Sequence, residues 1–333
     1  MTLEDNFNYH SKKYLFSNDD LLSNERTKIF KKIKSKEFDK KNNESLKNIS
    51  FSDLTTFDYY HKFASENSKI TLIDKNIYKI YLVNGICKNY EDDNIKIRNI
   101  TNLDSKIFTI DKDNNFDDLI IDFNKIFLNS GIMINVKKNT KLKLFFKHSV
   151  DENSTIFQNN FFTFENNCQV ELMDEFYLSH NTINNIKYNI QLNEGANIQQ
   201  NIYQNFSNSS KLYLTSNSIC EKSSSLTQNT YNFAKGFVRN FHHAKLNGKF
   251  SKASLKGCFF LKDKNICSNK TYVVHNAENC ESNQTYKGIL NDYAKANYYS
   301  NTFVSENAQK TEGYQLSKGI LLTDNCSFFS KPE

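Results

Sequence analysis

The chain has 333 residues, enough to bury a large core in one elongated domain or two compact ones. Its 28 Phe and 18 Tyr exclude a disordered segment, and a net charge of +6 spread along the chain, with Arg26, Arg98 and Arg239 as its arginines, argues against a nucleic-acid reader. The first residues lack the pattern of a signal peptide, no run approaches the roughly 18 apolar residues of a membrane span, and seven scattered cysteines without a C-x-x-C pair argue against a disulfide framework or a zinc ribbon, so a reducing cytoplasm is the expected setting.

Residues 1–65 read as an N-terminal helical region, ahead of a β core over 66–333. Ser17-Asn18-Asp19-Asp20 is a capping signature before Leu21 and Leu22. Ile29 and Ile33 stand four apart and share a face, with Phe30 beside them and lysines opposite. The basic run Lys28 to Lys41 includes Glu37 and Asp39 and reads as a solvated helix face. Asn42-Asn43-Glu44 breaks the pattern. From Ile70 the period becomes two: Ile77, Lys79 and Tyr81 alternate with Tyr78, Ile80 and Leu82, and Asn84-Gly85 makes a turn. One helix follows, with Phe116, Leu119, Ile120, Phe123, Ile126 and Phe127 stepping by three and four. Gly131 is expected as its C-cap.

Beyond Gly131 short strands dominate, restarted by bends of common form: a polar residue, a spacer, a small residue. Asn166-Asn167-Cys168, Glu194-Gly195-Ala196, Glu221-Lys222-Ser223, Asp292-Tyr293-Ala294, Glu306-Asn307-Ala308 and Asp324-Asn325-Cys326 repeat it, several roughly 30 residues apart. Nine Gly and one Pro are too few for a sandwich of tight hairpins. The expected fold is mainly β, a right-handed parallel β-helix core with an N-terminal helical region whose helices could cap one open end.

The sequence has no G-x-x-x-x-G-K-[ST], H-E-x-x-H, G-x-S-x-G or G-x-G-x-x-G. His275 and Cys280 offer imidazole and thiolate, yet two ligands are not a metal site, and cysteine is also a small core residue. His242 and His243 are adjacent, so in a strand they point to opposite faces. Asp92-Asp93 diverge likewise, and Asp117-Asp118 are expected at the solvated N-terminal end of the 116–127 helix. No catalytic, cofactor-binding or metal-ligating residue is therefore assigned. A carbohydrate-active β-helix, the rival reading, would need a constellation of carboxylates that the spacing does not supply.

One series is more specific: His275, Cys280, Ser282, Gln284 and Tyr286-Lys287-Gly288, then Ala308-Gln309-Lys310-Thr311 and Gln315. With Val83-Asn84-Gly85, Phe123-Asn124-Lys125-Ile126-Phe127, Ser130-Gly131, the strand Ile132 to Val136, Gly236-Phe237-Val238-Arg239, Leu246-Asn247-Gly248 and Leu255-Lys256-Gly257, it resembles the SufB/SufD family of iron–sulfur cluster assembly, and the SufD branch more than the SufB branch. Glu44-Ser45-Leu46-Lys47-Asn48-Ile49 resembles the family's opening segment without its tryptophan. The resemblance implies a non-catalytic scaffold that pairs with SufB through β-helical cores and works with the ATPase SufC. The complex would handle an iron–sulfur cluster, with ATP on SufC and no cofactor on this chain alone. A stand-alone SufB-like scaffold is the alternative within the family. In the family, Lys331-Pro332-Glu333 would lead into a Leu-Glu-Ile strand, a Cys-x-His-Gly segment and a helical SufC-docking domain, so the chain is expected to stop short of its SufC contact.

Overall fold

The computed structural model describes residues 2–35, 68–101, 104, 118–206 and 210–333. The break at 42–44, the opening segment 44–49, Phe116, Asp117 and the basic run beyond residue 35 lie outside the described residues. Helix α1 (Leu3–His10) starts at a capping box: Asp5 N donates to Thr2 Oγ1 (3.1 Å) and Thr2 N donates back to Asp5 Oδ2 (2.8 Å). Helix α2 (Asp20–Ser35) begins within the predicted signature, where Leu22 N donates to Asp19 Oδ1 (3.0 Å). Helix α3 (Leu119–Phe127) is the second periodic segment.

Strands are numbered β1 to β19 in chain order and divide by parity between two sheets. The first holds β1 (Lys69–Asp74), β2 (Ile77–Val83), β6 (Lys141–Val150), β8 (Gln169–Leu178), β10 (Asn197–Gln204), β12 (Ser225–Asn232), β14 (Lys252–Leu261), β16 (Glu281–Leu290) and β18 (Glu312–Leu321), in that spatial order. The second runs β3 (Tyr90–Glu91), β4 (Ile95–Asn99), β5 (Ile132–Val136), β7 (Thr155–Phe164), β9 (Ile183–Leu192), β11 (Lys211–Cys220), β13 (Phe237–Leu246), β15 (Ile266–His275), β17 (Lys295–Val304) and β19 (Ser327–Pro332). Each coil contributes one strand to each sheet, giving a β-solenoid of about seven turns. Pairing is parallel throughout the stack. It is antiparallel at the N-terminal end, in β1–β2 and β3–β4–β5. In the first sheet Lys141, Gln169, Asn197 and Ser225 lie in register, 28 residues apart. The next partners, Lys252, Glu281 and Glu312, follow after 27, 29 and 31 residues.

This period turns alternation into a core. Leu142, Val170, Ile198 and Leu226 stack on one another and face Ile186, Leu212 and Val238 of the other sheet. Full burial of each such side chain contributes about 1.5–3 kcal/mol. The corners need one residue in the left-handed region. Asn139, Asn153, Asn167, Asn181, Asp263, Asn279 and Asp292 take it with φ between 55° and 59°. Asn and Asp tolerate that conformation best after Gly, so the Asn-rich composition has a structural use. The small residue after the bend fills the corner: Cys168, Ala196, Ala294, Ala308 and Cys326 are buried. At Glu221-Lys222-Ser223 the positive φ falls on Ser223, and Ser224 is the buried residue, one position later than the predicted form.

Two expectations are corrected. Gly131 is not a C-cap: α3 ends four residues earlier, and Gly131 lies where a Cβ would overlap the Asn159 carbonyl of the neighbouring coil. Within the described residues, α1 to α3 do not close the end of the stack. They pack on the outer face of the second sheet, where Tyr14, Phe30, Ile33, Ile120, Phe123 and Phe127 meet Phe157, Ile183 and Tyr213. Among the described residues, the helices cover the apolar stripe that those outward residues form. The first sheet has no such stripe at these coils and keeps the alternation of a half-exposed sheet, as in β8. Among the described residues no helix is long and apolar enough to cross a membrane.

Candidate functional site

The 275–315 series occupies β15 to β18 and the corners between them. Its alternate residues point inward: His275, Ser282, Gln284 and Tyr286 are buried. His275 Nε2 lies 2.9 Å from Ser282 Oγ. Gln284 Nε2 donates to Thr302 Oγ1 (2.8 Å), and Gln315 Nε2 reaches the same hydroxyl (2.7 Å). Tyr286 stacks on Tyr298, with centroids 4.4 Å apart. The glycines of the series have a steric cause. A Cβ at Gly257 would overlap the Tyr286 ring, and one at Gly288 would overlap the Phe259 ring. Large and small residues thus interdigitate between coils, and Tyr-Lys-Gly is a packing motif whose lysine points outward.

Cys280 is the buried residue of a corner. Its Sγ lies 3.4 Å from Gly248 O and 3.4 Å from Ser251 Oγ, the equivalent corner residue one coil earlier. His275 turns its Nε2 to Ser282 instead, so His275 and Cys280 hydrogen-bond different partners. Burial pushes the His275 pKa down. His242 and His243 point to opposite faces as expected. His242 is inside the solenoid, with Nδ1 2.8 Å from Ser216 Oγ and Nε2 3.1 Å from Thr230 Oγ1, and burial lowers its pKa to about 3. His243 lies on the outer face of β13, stacked on Tyr272, and burial, then Lys245, lowers it to about 3. Burial raises the thiols of Cys220 and Cys267 to about 12 and that of Cys168 to about 11. Protonated thiols are poor nucleophiles and poor ligands. All seven cysteines are free, and among the described residues no three His, Cys, Asp or Glu side chains are grouped to hold a metal ion.

The carboxylate pairs also find structural partners. Asp92 accepts from Tyr78 (2.8 Å) and Tyr90 (2.9 Å) hydroxyls and from the amides of Asn94 and Ile95, while Asp93 is exposed. Asp118 corrects the expectation of a solvated helix end. It is buried, caps α3 through Ile120 N (2.9 Å), and forms an ion pair with buried Arg239 of β13. A helix lying on a sheet places its first turn against that sheet, which alternation along the helix cannot reveal.

Sequence reasoning missed one constellation. Asp174 on β8 is fully buried inside the solenoid. His148 Nε2 (3.0 Å) and Tyr188 OH (3.3 Å) contact its Oδ1, and Gln200 Nε2 donates to its Oδ2 (2.6 Å). The chain continues from Gln228 Nε2 to Gln200 Oε1 (2.8 Å), then from Ser216 Oγ to Gln228 Oε1 (3.1 Å), and on to His242 and Thr230. A polar seam therefore runs through an otherwise apolar core. The available signal was a charged residue at an inward position, Asp174 after Val170 and Leu172, and His148 after Leu144 and Phe146.

No curated protein matches the chain. A family model described as SUF system FeS cluster assembly, SufBD core domain, matches residues 145–333, more than half of the chain and nearly all of its parallel coils. With its role thereby set in SUF iron–sulfur cluster assembly, the chain belongs to the SufBD core family.

Proposed function

We propose that this chain is a non-catalytic scaffold subunit of the SUF complex, of the SufD type, that pairs with SufB through its β-solenoid and supports the SufC ATPase in the cytoplasm. What supports this reading is that the SufBD core model matches residues 145–333, the parallel coils themselves. Strands β18 and β19 are sheet edges, and Val304, Tyr314, Leu321 and Phe329 around them are about half exposed. The SufD type rests on Ser282-x-Gln284-x-Tyr286-Lys287-Gly288. The scaffold role fits the thiols of Cys168, Cys220 and Cys267, which burial keeps protonated, and leaves the cluster, as cargo, to the partner. Co-expression of the tagged chain with SufB is expected to yield a stable complex, and a folded chain that ignores SufB overturns the pairing. Anaerobic reconstitution with iron and sulfide is expected to leave this chain without cluster absorption. A stable cluster would make it a stand-alone scaffold instead.

A further inference from the structure

The outer face of the first sheet carries an exposed apolar row that runs from the end of β12 to β18. Parallel register stacks equivalent residues, so Phe260, Ile289 and Ile320 form one row on β14, β16 and β18. Phe233, one residue past β12, extends it. The four are 42, 39, 57 and 47% exposed, in the order Phe260, Ile289, Ile320 and Phe233, although large and apolar. Two residues back along the strands lies a row of charge. Lys287 and Lys318 are direct register partners, and Cys258 precedes them in the same row. Lys256 is exposed beside it. None of these three lysines has a carboxylate within ion-pair distance among the described residues. Elsewhere on this sheet Lys143 pairs with Glu171 (2.7 Å), Lys147 with Glu175 (3.6 Å) and Lys252 with Glu281 (2.9 Å). Like charges stacked at one strand spacing repel, so an unpaired lysine ladder is unfavourable until anions meet it.

We propose that this row pair docks an acidic amphipathic helix of a partner protein. A helix is the fitting occupant because the backbone groups of β12, β14 and β16 are already used in ladders on both sides. Only a segment that satisfies its own backbone can lie across the face without leaving orphan groups. The dimensions agree. Four side chains on adjacent strands, about 4.8 Å apart, span about 14 Å, and apolar residues at i, i+3, i+7 and i+11 of a helix span about 16 Å. The lysine row lies about 6.6 Å to one side, within reach of Asp or Glu on the flank of a helix about 10 Å across. The peptide test needs no SufB, so it and the proposed pairing can fail separately.

The probe is a fluorescein-labelled 18-residue peptide, with Leu at i, i+3, i+7 and i+11 and Glu along one flank. Its control replaces every Glu with Lys. The ligand-binding test uses anisotropy on the full chain. The expected result is binding by the acidic peptide alone, weakened at least tenfold by K287E/K318E and by I289S/I320S, with thermal unfolding of both variants unchanged. Cys258, the exposed cysteine, is expected to react several-fold more slowly with a maleimide when the acidic peptide is bound. Absence of binding, equal binding of both peptides, or equal affinity of the variants overturns the proposal. So does capture of the chain by vesicles of one-quarter phosphatidylglycerol when the peptide does not bind, which would make the face a membrane contact.

Discussion

The two ends of the solenoid are finished differently. At the N-terminal end antiparallel strands β1 and β3–β4 terminate both sheets, and inward residues beneath them, such as Tyr78, Ile80, Ile95 and Ile97, are fully buried. At the other end the last parallel coil keeps the register of its neighbours but not their burial: Leu290 is buried, and its partner Leu321 one coil on is half exposed. The same sequence pattern therefore makes a core residue in one coil and a surface residue in the next. What differs is whether another layer lies beyond.

Substitutions sharpen that contrast. Asp174→Ala should cause the largest loss, about 3–5 kcal/mol in urea unfolding, because it strips an acceptor from His148, Tyr188 and Gln200 inside the stack. A loss under about 1 kcal/mol would mean that the polar seam is not a structural network. Leu214→Ala in a middle coil should cost about 2–5 kcal/mol, whereas Leu321→Ala in the last coil should cost less than about 1 kcal/mol. Equal costs would show that the last coil is covered in solution.

Acid should weaken the middle coils. His242 and His243 have folded pKa values near 3 against 6.5 when unfolded, so between those values the unfolded chain binds more protons. Their stabilisation is complete above pH 6.5 and is lost as pH falls. From pH 6.5 to 5 the loss is on the order of 2 kcal/mol for each histidine. His242→Gln should flatten this slope by about one proton, and an unchanged slope would contradict the buried neutral imidazole. Gly257→Ala is expected to cost about 1–3 kcal/mol by displacing the Tyr286 ring. Tyr286→Ala combined with it should cost less than the two separately, since the overlap is then gone.

Much of this architecture was legible because each coil repeats local rules. Alternation gave the strands, and polar-small bends gave the corners. The period of about 28 residues emerged only approximately, since bends such as that at Ser223 shift by one residue. The 275–315 series pointed to the family because its glycines and aromatics record contacts between neighbouring coils. Long-range pairings were not legible. Asp174 meets His148 only when two coils align in register, and Asp118 meets Arg239 across 121 positions of sequence. The burial of both faces of β7, β9 and β11 likewise depends on helices docked from the other end of the chain, which no strand's own pattern records.

Hydrogen–deuterium exchange with and without SufB tests the central claim most directly. Alone, the amides of β18 and β19 should exchange much faster than those of β8 to β13. Binding of SufB should slow exchange by at least tenfold in strands of the parallel coils. No protection of those strands in a complex that demonstrably forms would contradict pairing through the solenoid.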